Sequence, residues 1–183
     1  FRTRQPNQIY SLPNLKSLNL SHNNLTKVKL YYNNSIERLD FSHNQINYIE
    51  YSNFSKSTLK NLRTIDFSYN EIEEYPSLQA FSTMDTILLS NNRLNAFYNM
   101  HRYLPERVKY LDISSNETER LKSSIHTYYA DLIYSVNKCE SINLSDNFFE
   151  YFPYEVFQGE VSSSIIMQKC EYDRIYNEKP TSL

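Results

Sequence analysis

One spacing governs this chain: apolar residues at relative positions 1, 4, 6 and 11, with asparagine at position 9, recur in six segments. They read Leu15-Leu18-Leu20-Asn23-Leu25, Ile36-Leu39-Phe41-Asn44-Ile46, Leu62-Ile65-Phe67-Asn70-Ile72, Met84-Ile87-Leu89-Asn92-Leu94, Val108-Leu111-Ile113-Asn116-Thr118 and Cys139-Ile142-Leu144-Asn147-Phe149. A seventh, degenerate copy fits at Ile165, Gln168, Cys170, Asp173 and Ile175, with Gln at an apolar position and Asp replacing Asn. Successive position-1 residues are 21, 26, 22, 24, 31 and 26 apart, so the eleven-residue segment is the constant part and the remainder varies.

Apolar residues two apart make a short strand with one buried face, and the asparagine three positions later ends it. Stacked copies place these strands side by side in a parallel sheet, and the variable segments supply the crossover of about a dozen residues that parallel pairing requires. One copy cannot bury its apolar face alone. The stack buries a continuous core and joins Asn23, Asn44, Asn70, Asn92, Asn116 and Asn147 into a ladder of side chain to backbone hydrogen bonds.

Composition narrows the chemistry. With Gly159 the one glycine of 183 residues, neither a phosphate-cradling loop nor a dinucleotide fingerprint can be built, and asparagine is expected to stand in for glycine at turns. A net charge of -2 offers no basic surface for nucleic acid. No stretch approaches the roughly 18 apolar residues of a membrane span, so membrane attachment would come only through segments outside this chain. The start, Phe1-Arg2-Thr3-Arg4, has neither an initiator Met nor a signal-peptide core, and the chain is expected to be a processed product or an excerpt.

From about Leu12 to Ile175 the repeats resemble the leucine-rich repeat superfamily. The resemblance implies a single domain, residues 1–183, of six clear units plus the degenerate seventh, within a longer protein. Its fold is an α/β repeat solenoid: a curved right-handed superhelix with a short-stranded parallel sheet on the concave face and irregular or helical turns on the convex side. Phe152-Pro153 with Phe157, and Ile49 with Phe54, match the Leu-Pro-x-x-x-Phe half of repeats in animal extracellular proteins; Tyr75-Pro76 with Phe81 is one residue out of step. The repeats are similar to those of Toll-like receptor ectodomains and of secreted invertebrate immune or adhesion proteins. Such proteins usually cap their ends with cysteine clusters. None is present, so either the irregular segments Phe1 to Leu12 and Ile175 to Leu183 cover the ends or, as expected at the N-terminal end at least, the chain continues.

Catalytic and metal chemistry find little support. Cys139 and Cys170 fall at positions 1 and 6 of neighbouring units, about 16 Å apart along the strand, against about 7 Å between bridged Cα atoms, so no disulfide is expected. His22, His43, His101 and His126 lie in different units, none at ligand spacing from a Cys or carboxylate. His22 and His43 share position 8 on neighbouring strands, either as a metal-binding or pH-sensing pair or as exposed members of a repeated Ser-His-Asn turn. No nucleophile has a base near it in sequence. No cofactor is expected.

Six Asn-x-Ser/Thr acceptors begin at Asn19, Asn24, Asn33, Asn53, Asn116 and Asn143. A composition so rich in Asn and Ser gives about four by chance, so position carries more than number. Asn24, Asn33 and Asn53 fall on turns or the convex side. Asn116 belongs to the ladder and should be buried, and Asn19 and Asn143 would project from the concave sheet.

On that sheet positions 2, 3, 5, 7 and 8 face outward. Position 7 is serine in all six units, which suits packing or capping. Position 5 reads Asn19, Asp40, Asp66, Leu88, Asp112 and Asn143, an acidic stripe flanked by Lys16, Arg38, Arg63 and Lys109, with Tyr69, Tyr110, Asp146 and, in the seventh unit, Tyr172 nearby. Interleaved charge and tyrosine suits recognition; equally, opposite charges on neighbouring strands offset one another. Tyr31, Tyr32, Tyr128 and Tyr129 offer a second aromatic surface in the long insertions. The expected function is a non-enzymatic extracellular module that binds a protein or glycan, as part of a receptor ectodomain or a secreted immune or adhesion protein, with homo- or heterodimers possible. The alternative is an intracellular scaffold for protein–protein interaction.

Overall fold

Each repeat contributes one short strand to a parallel sheet, and the strands register on the same relative positions. The computed structural model describes residues 13–30, 35–51, 59–94, 100–116, 132, 134–149, 164–166 and 171–172. Its elements are β1 (Ser17–Asn19), β2 (Lys27–Leu30), β3 (Arg38–Asp40), β4 (Tyr48–Tyr51), β5 (Thr64–Asp66), β6 (Thr86–Leu88), α1 (Met100–Tyr103), β7 (Val108–Asp112), β8 (Cys139–Asn143), β9 (Phe148–Phe149), β10 (Ser164–Ile166) and β11 (Glu171–Tyr172). Seven strands form the main sheet in the order β1-β3-β5-β6-β7-β8-β10. Leu18, Leu39, Ile65, Ile87, Leu111 and Ile142, all at position 4, lie opposite one another across it. The parallel sheet is the one the periodicity predicts, and the chain is a superhelix with this sheet on its concave face, as the resemblance implies.

The core combines the residues the spacing marks with others outside the eleven-residue segments, among them Val28, Leu30, Leu59, Leu78, Met100, Leu104, Leu132 and Val136. Ile36, Leu39, Phe41, Leu62, Ile65, Phe67, Met84, Ile87, Leu89, Val108, Leu111, Ile113, Cys139, Ile142 and Leu144 are buried, and so are Ile46, Ile72 and Leu94 at position 11. Phe41 and Phe67 stack with ring centroids 5.3 Å apart. Tyr75, Pro76 and Phe81 are buried too, so the out-of-step third repeat still packs its second half inward. In the first unit Leu15, Leu18, Leu20 and Leu25 are only partly buried.

The asparagine ladder locks unit to unit. Asn92 accepts the Ile72 N–H at 3.0 Å and donates to the carbonyls of Phe67 and Leu89 at 3.0 and 3.1 Å. Asn44, Asn70 and Asn116 repeat this scheme, accepting from Leu25, Ile46 and Leu94 respectively. Asn147 donates to the Ile113 and Leu144 carbonyls and accepts from the backbone N–H of Asn116. Asn23 donates only within its own unit among the described residues, to Leu20 and Ser21.

The ladder asparagines do not themselves take the glycine-like conformation at these turns. The left-handed residue is one place earlier, at position 8: His22, His43, Tyr69, Asn91, Ser115 and Asp146 all have φ between 52 and 55°. Most of these residue types carry a Cβ penalty there, which the bonds made by the following ladder asparagine help to hold.

Two expectations need correction. The resemblance implies irregular or helical return segments, and α1 fits, but the first two units use strands: β2 pairs in parallel with β4. The alternation Lys27-Val28-Lys29-Leu30 explains this, because Val28 and Leu30 turn into the core while the lysines face water. Lys29 pairs with Glu50, and the Lys27 ammonium lies 5.8 Å from the centre of the Tyr48 ring.

The seventh unit is also three residues out of the expected register. Ile165 pairs with Ile142 and so holds position 4, not position 1. Tyr172 pairs with Phe149, at position 11, and does not stand at position 8 of the concave face. Burying Ile165 beside Ile142 outweighs the weak match that put polar Gln168 on the core side. Counting from Ile165 moves position 9 from Asp173 to Cys170, which itself lies outside the described residues. The offset between the two cysteines becomes eight positions instead of five.

Candidate functional site

The outward face of the sheet consists of columns, one per relative position, and each has its own chemistry. Position 2 alternates in sign from strand to strand: Lys16, Glu37, Arg63, Asp85, Lys109, Glu140. Lys16 pairs with Glu37, and Asp85 accepts from Arg63 at 3.2 Å and Lys109 at 3.1 Å. The hydrogen bond from Lys16 holds the Glu37 carboxyl below its usual range; the bond from Lys109, and then that from Arg63, does the same for Asp85. Three of the four cations marked in the sequence are therefore matched on neighbouring strands. Arg38, one column over at position 3, is exposed and closes no salt bridge among the described residues.

Position 5 carries the acidic stripe, and its first task is local. Asn19, Asp40, Asp66 and Asp112 each accept both the N–H and the Oγ–H of the serine two residues on, Ser21, Ser42, Ser68 and Ser114, at 2.6–3.0 Å. Asn143 accepts the Ser145 N–H at 3.1 Å. These Asx-type caps end β1, β3, β5, β7 and β8. They account for five of the six serines in the column and leave only the second carboxylate oxygen of each Asp for other work. That oxygen accepts from Asn19 Nδ2 in Asp40 and, at 3.4 Å, from the Tyr110 hydroxyl in Asp112. Burial, reinforced by the Asp112 charge, raises the Tyr110 pKa.

Along the edge, at position 8, three rings stack: His22 on His43 with centroids 4.2 Å apart, and His43 on Tyr69 at 4.3 Å, each pair within 9° of parallel. All three side chains are exposed, as is Asp146 further along the column. The residues missed in the sequence are Glu37 and Asp85. Both were visible as the alternate members of the position-2 column.

The glycan acceptors separate by environment. Asn24 is exposed, whereas Asn116 is 4% exposed and engaged in the ladder. Asn19 spends its side chain on Ser21 and Asp40, and Asn143 caps Ser145. Asn33 and Asn53 lie outside the described residues, as do Phe54, Phe152, Pro153, Phe157, His126 and the tyrosines at 31, 32, 128 and 129. Cys139 is buried and donates its thiol to the Ser135 carbonyl; burial pushes its pKa up to about 12. Among the described residues no group of three His, Cys, Asp or Glu side chains could hold a metal ion, and no helix is long and apolar enough to cross a membrane.

Comparison with known proteins follows the same repeats. The leucine-rich repeat family profile matches residues 11–28 and 32–48. The seven-stranded superhelix superposes on the LRIM1/APL1C complex with a TM-score of 0.55 at 21% identity, over 90% of this chain and 32% of that one.

This chain is a leucine-rich repeat domain.

Cattle (Bos taurus) osteomodulin is 28% identical over 151 residues, 80% of this leucine-rich repeat domain and 33% of osteomodulin. Human (Homo sapiens) leucine-rich repeats and immunoglobulin-like domains protein 3 is 32% identical over 100 residues, 54% of this domain and 9% of that protein. The leucine-rich repeat domain thus spans about a third, or less, of the length of these relatives. It is a protein-interaction domain. Its rigid sheet holds outward-facing side chains at fixed spacing, an arrangement suited to binding a surface.

Proposed function

We propose that this leucine-rich repeat domain is a non-catalytic extracellular recognition module that binds a protein partner on its concave sheet, within a receptor ectodomain or a secreted immune or adhesion protein. The observation that carries this reading is the concave face: positions 2, 3, 5 and 8 are displayed to solvent on a scaffold locked by the ladder and the serine caps. Preorganised side chains lose little entropy when a partner docks. Lys16, Arg38, Asp40, Arg63, Asp66, Tyr69, Lys109, Tyr110, Asp112 and Asp146 line this face, and Arg38 and Tyr69 are its most available members. The structural match to a complex favours a second protein over a glycan as the occupant. We take residues 1–183 as a single domain whose repeats run from about residue 12 to 175.

The extracellular part of the reading rests on kinship and on Asn24, an acceptor whose side chain is exposed. It is tested by the intact mass of the protein from its native source before and after enzymatic removal of N-linked glycans. A mass loss mapped to Asn24 is expected. An unmodified chain at every acceptor moves the domain to the intracellular scaffold reading.

A further inference from the structure

The position-5 column has one break, at the centre of the concave face. Five of its six members are Asn or Asp that cap the following serine; the exception is Leu88 on β6. Leu88 is half-buried and outside the packed core, so no interior contact accounts for it. Its neighbours across the sheet are Asp66 on β5 and Asp112 on β7. Strands sit about 4.8 Å apart, which puts the two aspartates about 10 Å from each other with the leucine midway. Thr64, Thr86 and Tyr110 form the adjoining row. The cations nearest in the position-2 column, Arg63 and Lys109, are both held by Asp85, three residues back along the strand. A repeat that abandons its own capping rule at a single central unit gives up local stability there, and such departures concentrate at functional sites.

We propose that Leu88 is the anchor point of the concave face and takes the aliphatic stem of a lysine or arginine from a protein partner, with its cationic head between Asp66 and Asp112. The chemistry is complementary on both counts. A long basic side chain carries an apolar stem that can lie on Leu88 and a charge that two flanking carboxylates attract. The anchor deepens the reading of the domain as a protein-binding module and rests on it.

The test uses Leu88→Asn, which installs the residue that Asn19 and Asn143 already use at this position and completes the missing cap for Ser90. The variant is made in a host without N-glycosylation, because the change creates Asn-Leu-Ser. The probes are two peptides, acetyl-Leu-Lys-Leu-amide and acetyl-Leu-Glu-Leu-amide, titrated against the isotopically labelled chain by NMR. The lysine peptide is expected to perturb residues 64–66, 86–90 and 110–112, and to bind the Leu88→Asn variant about tenfold more weakly, with the variant's melting temperature retained. Asp66→Asn should weaken it as well. Equal binding of both peptides, or unchanged binding to Leu88→Asn, overturns the anchor while leaving the extracellular reading to the glycan measurement.

Discussion

At Asn92, one side chain satisfies a backbone N–H and three carbonyls in two different units, in a site almost closed to water. Removing it strands those groups, and each buried unsatisfied group costs about 1–3 kcal/mol. Asn92→Ala should therefore lower the unfolding free energy by about 3 kcal/mol in denaturant titration, while Asn23→Ala, at the exposed end of the ladder, should cost roughly 0.5 kcal/mol. Equal losses would mean that the ladder contributes nothing beyond local turns. The ladder was legible in the sequence because position 9 is fixed by the spacing. The identity of the left-handed residue was not: His22, Tyr69 and Asp146 share no side-chain chemistry, and only the backbone shows that position 8 bears the strained φ. The Asp-x-Ser caps sit between these cases. The pattern was in plain view, but the same aspartates read equally well as a binding stripe until their hydrogen bonds were seen.

Among elements, the strands of the main sheet followed directly from the periodicity, and the failures have specific causes. The seventh strand slipped by three residues because it lacks the asparagine that marks the other six. β2 and β4 were unforeseen because a two-residue alternation as short as Lys27–Leu30 was hidden in the variable segment. The ion pairs of the position-2 column belong to this scale too, since they link strand to strand. Asp85 has its pKa depressed by Lys109 and Arg63, so the folded chain binds its proton less tightly than the unfolded chain. Its contribution is present above the unfolded carboxylate pKa, near pH 4, and fades as the pH falls through the folded value. Both cationic partners are more than half exposed, so screening limits the gain. Asp85→Asn should cost about 0.5 kcal/mol at neutral pH and low salt. That difference should close once the pH has fallen through the folded value or in about 1 M salt. A cost that persists in acid would assign Asp85 a role other than charge pairing.

For the whole molecule, the superhelix has a closed interior and an open sheet, and function follows from which surface stays free. The core of the eleven-residue segments was readable from the sequence, whereas its members in the variable segments, such as Val28, Leu30, Leu78 and Leu104, were not. The candidate binding surface was readable only as a set of positions, because pairing across strands decides which charges are already spent: Lys16, Arg63 and Lys109 are matched, and Arg38 closes no salt bridge among the described residues. The proposed function is that of a module that holds another protein on this sheet. The most direct test of that claim is site-specific photo-crosslinking in cells that naturally make the protein. One photoreactive residue replaces Arg38 on the concave face, and a control replaces exposed Glu73, which lies beyond the sheet segment of the third unit. A discrete crosslinked protein is expected from position 38 and none from position 73. The same adduct from both positions, or from position 73 alone, would contradict binding on the concave face.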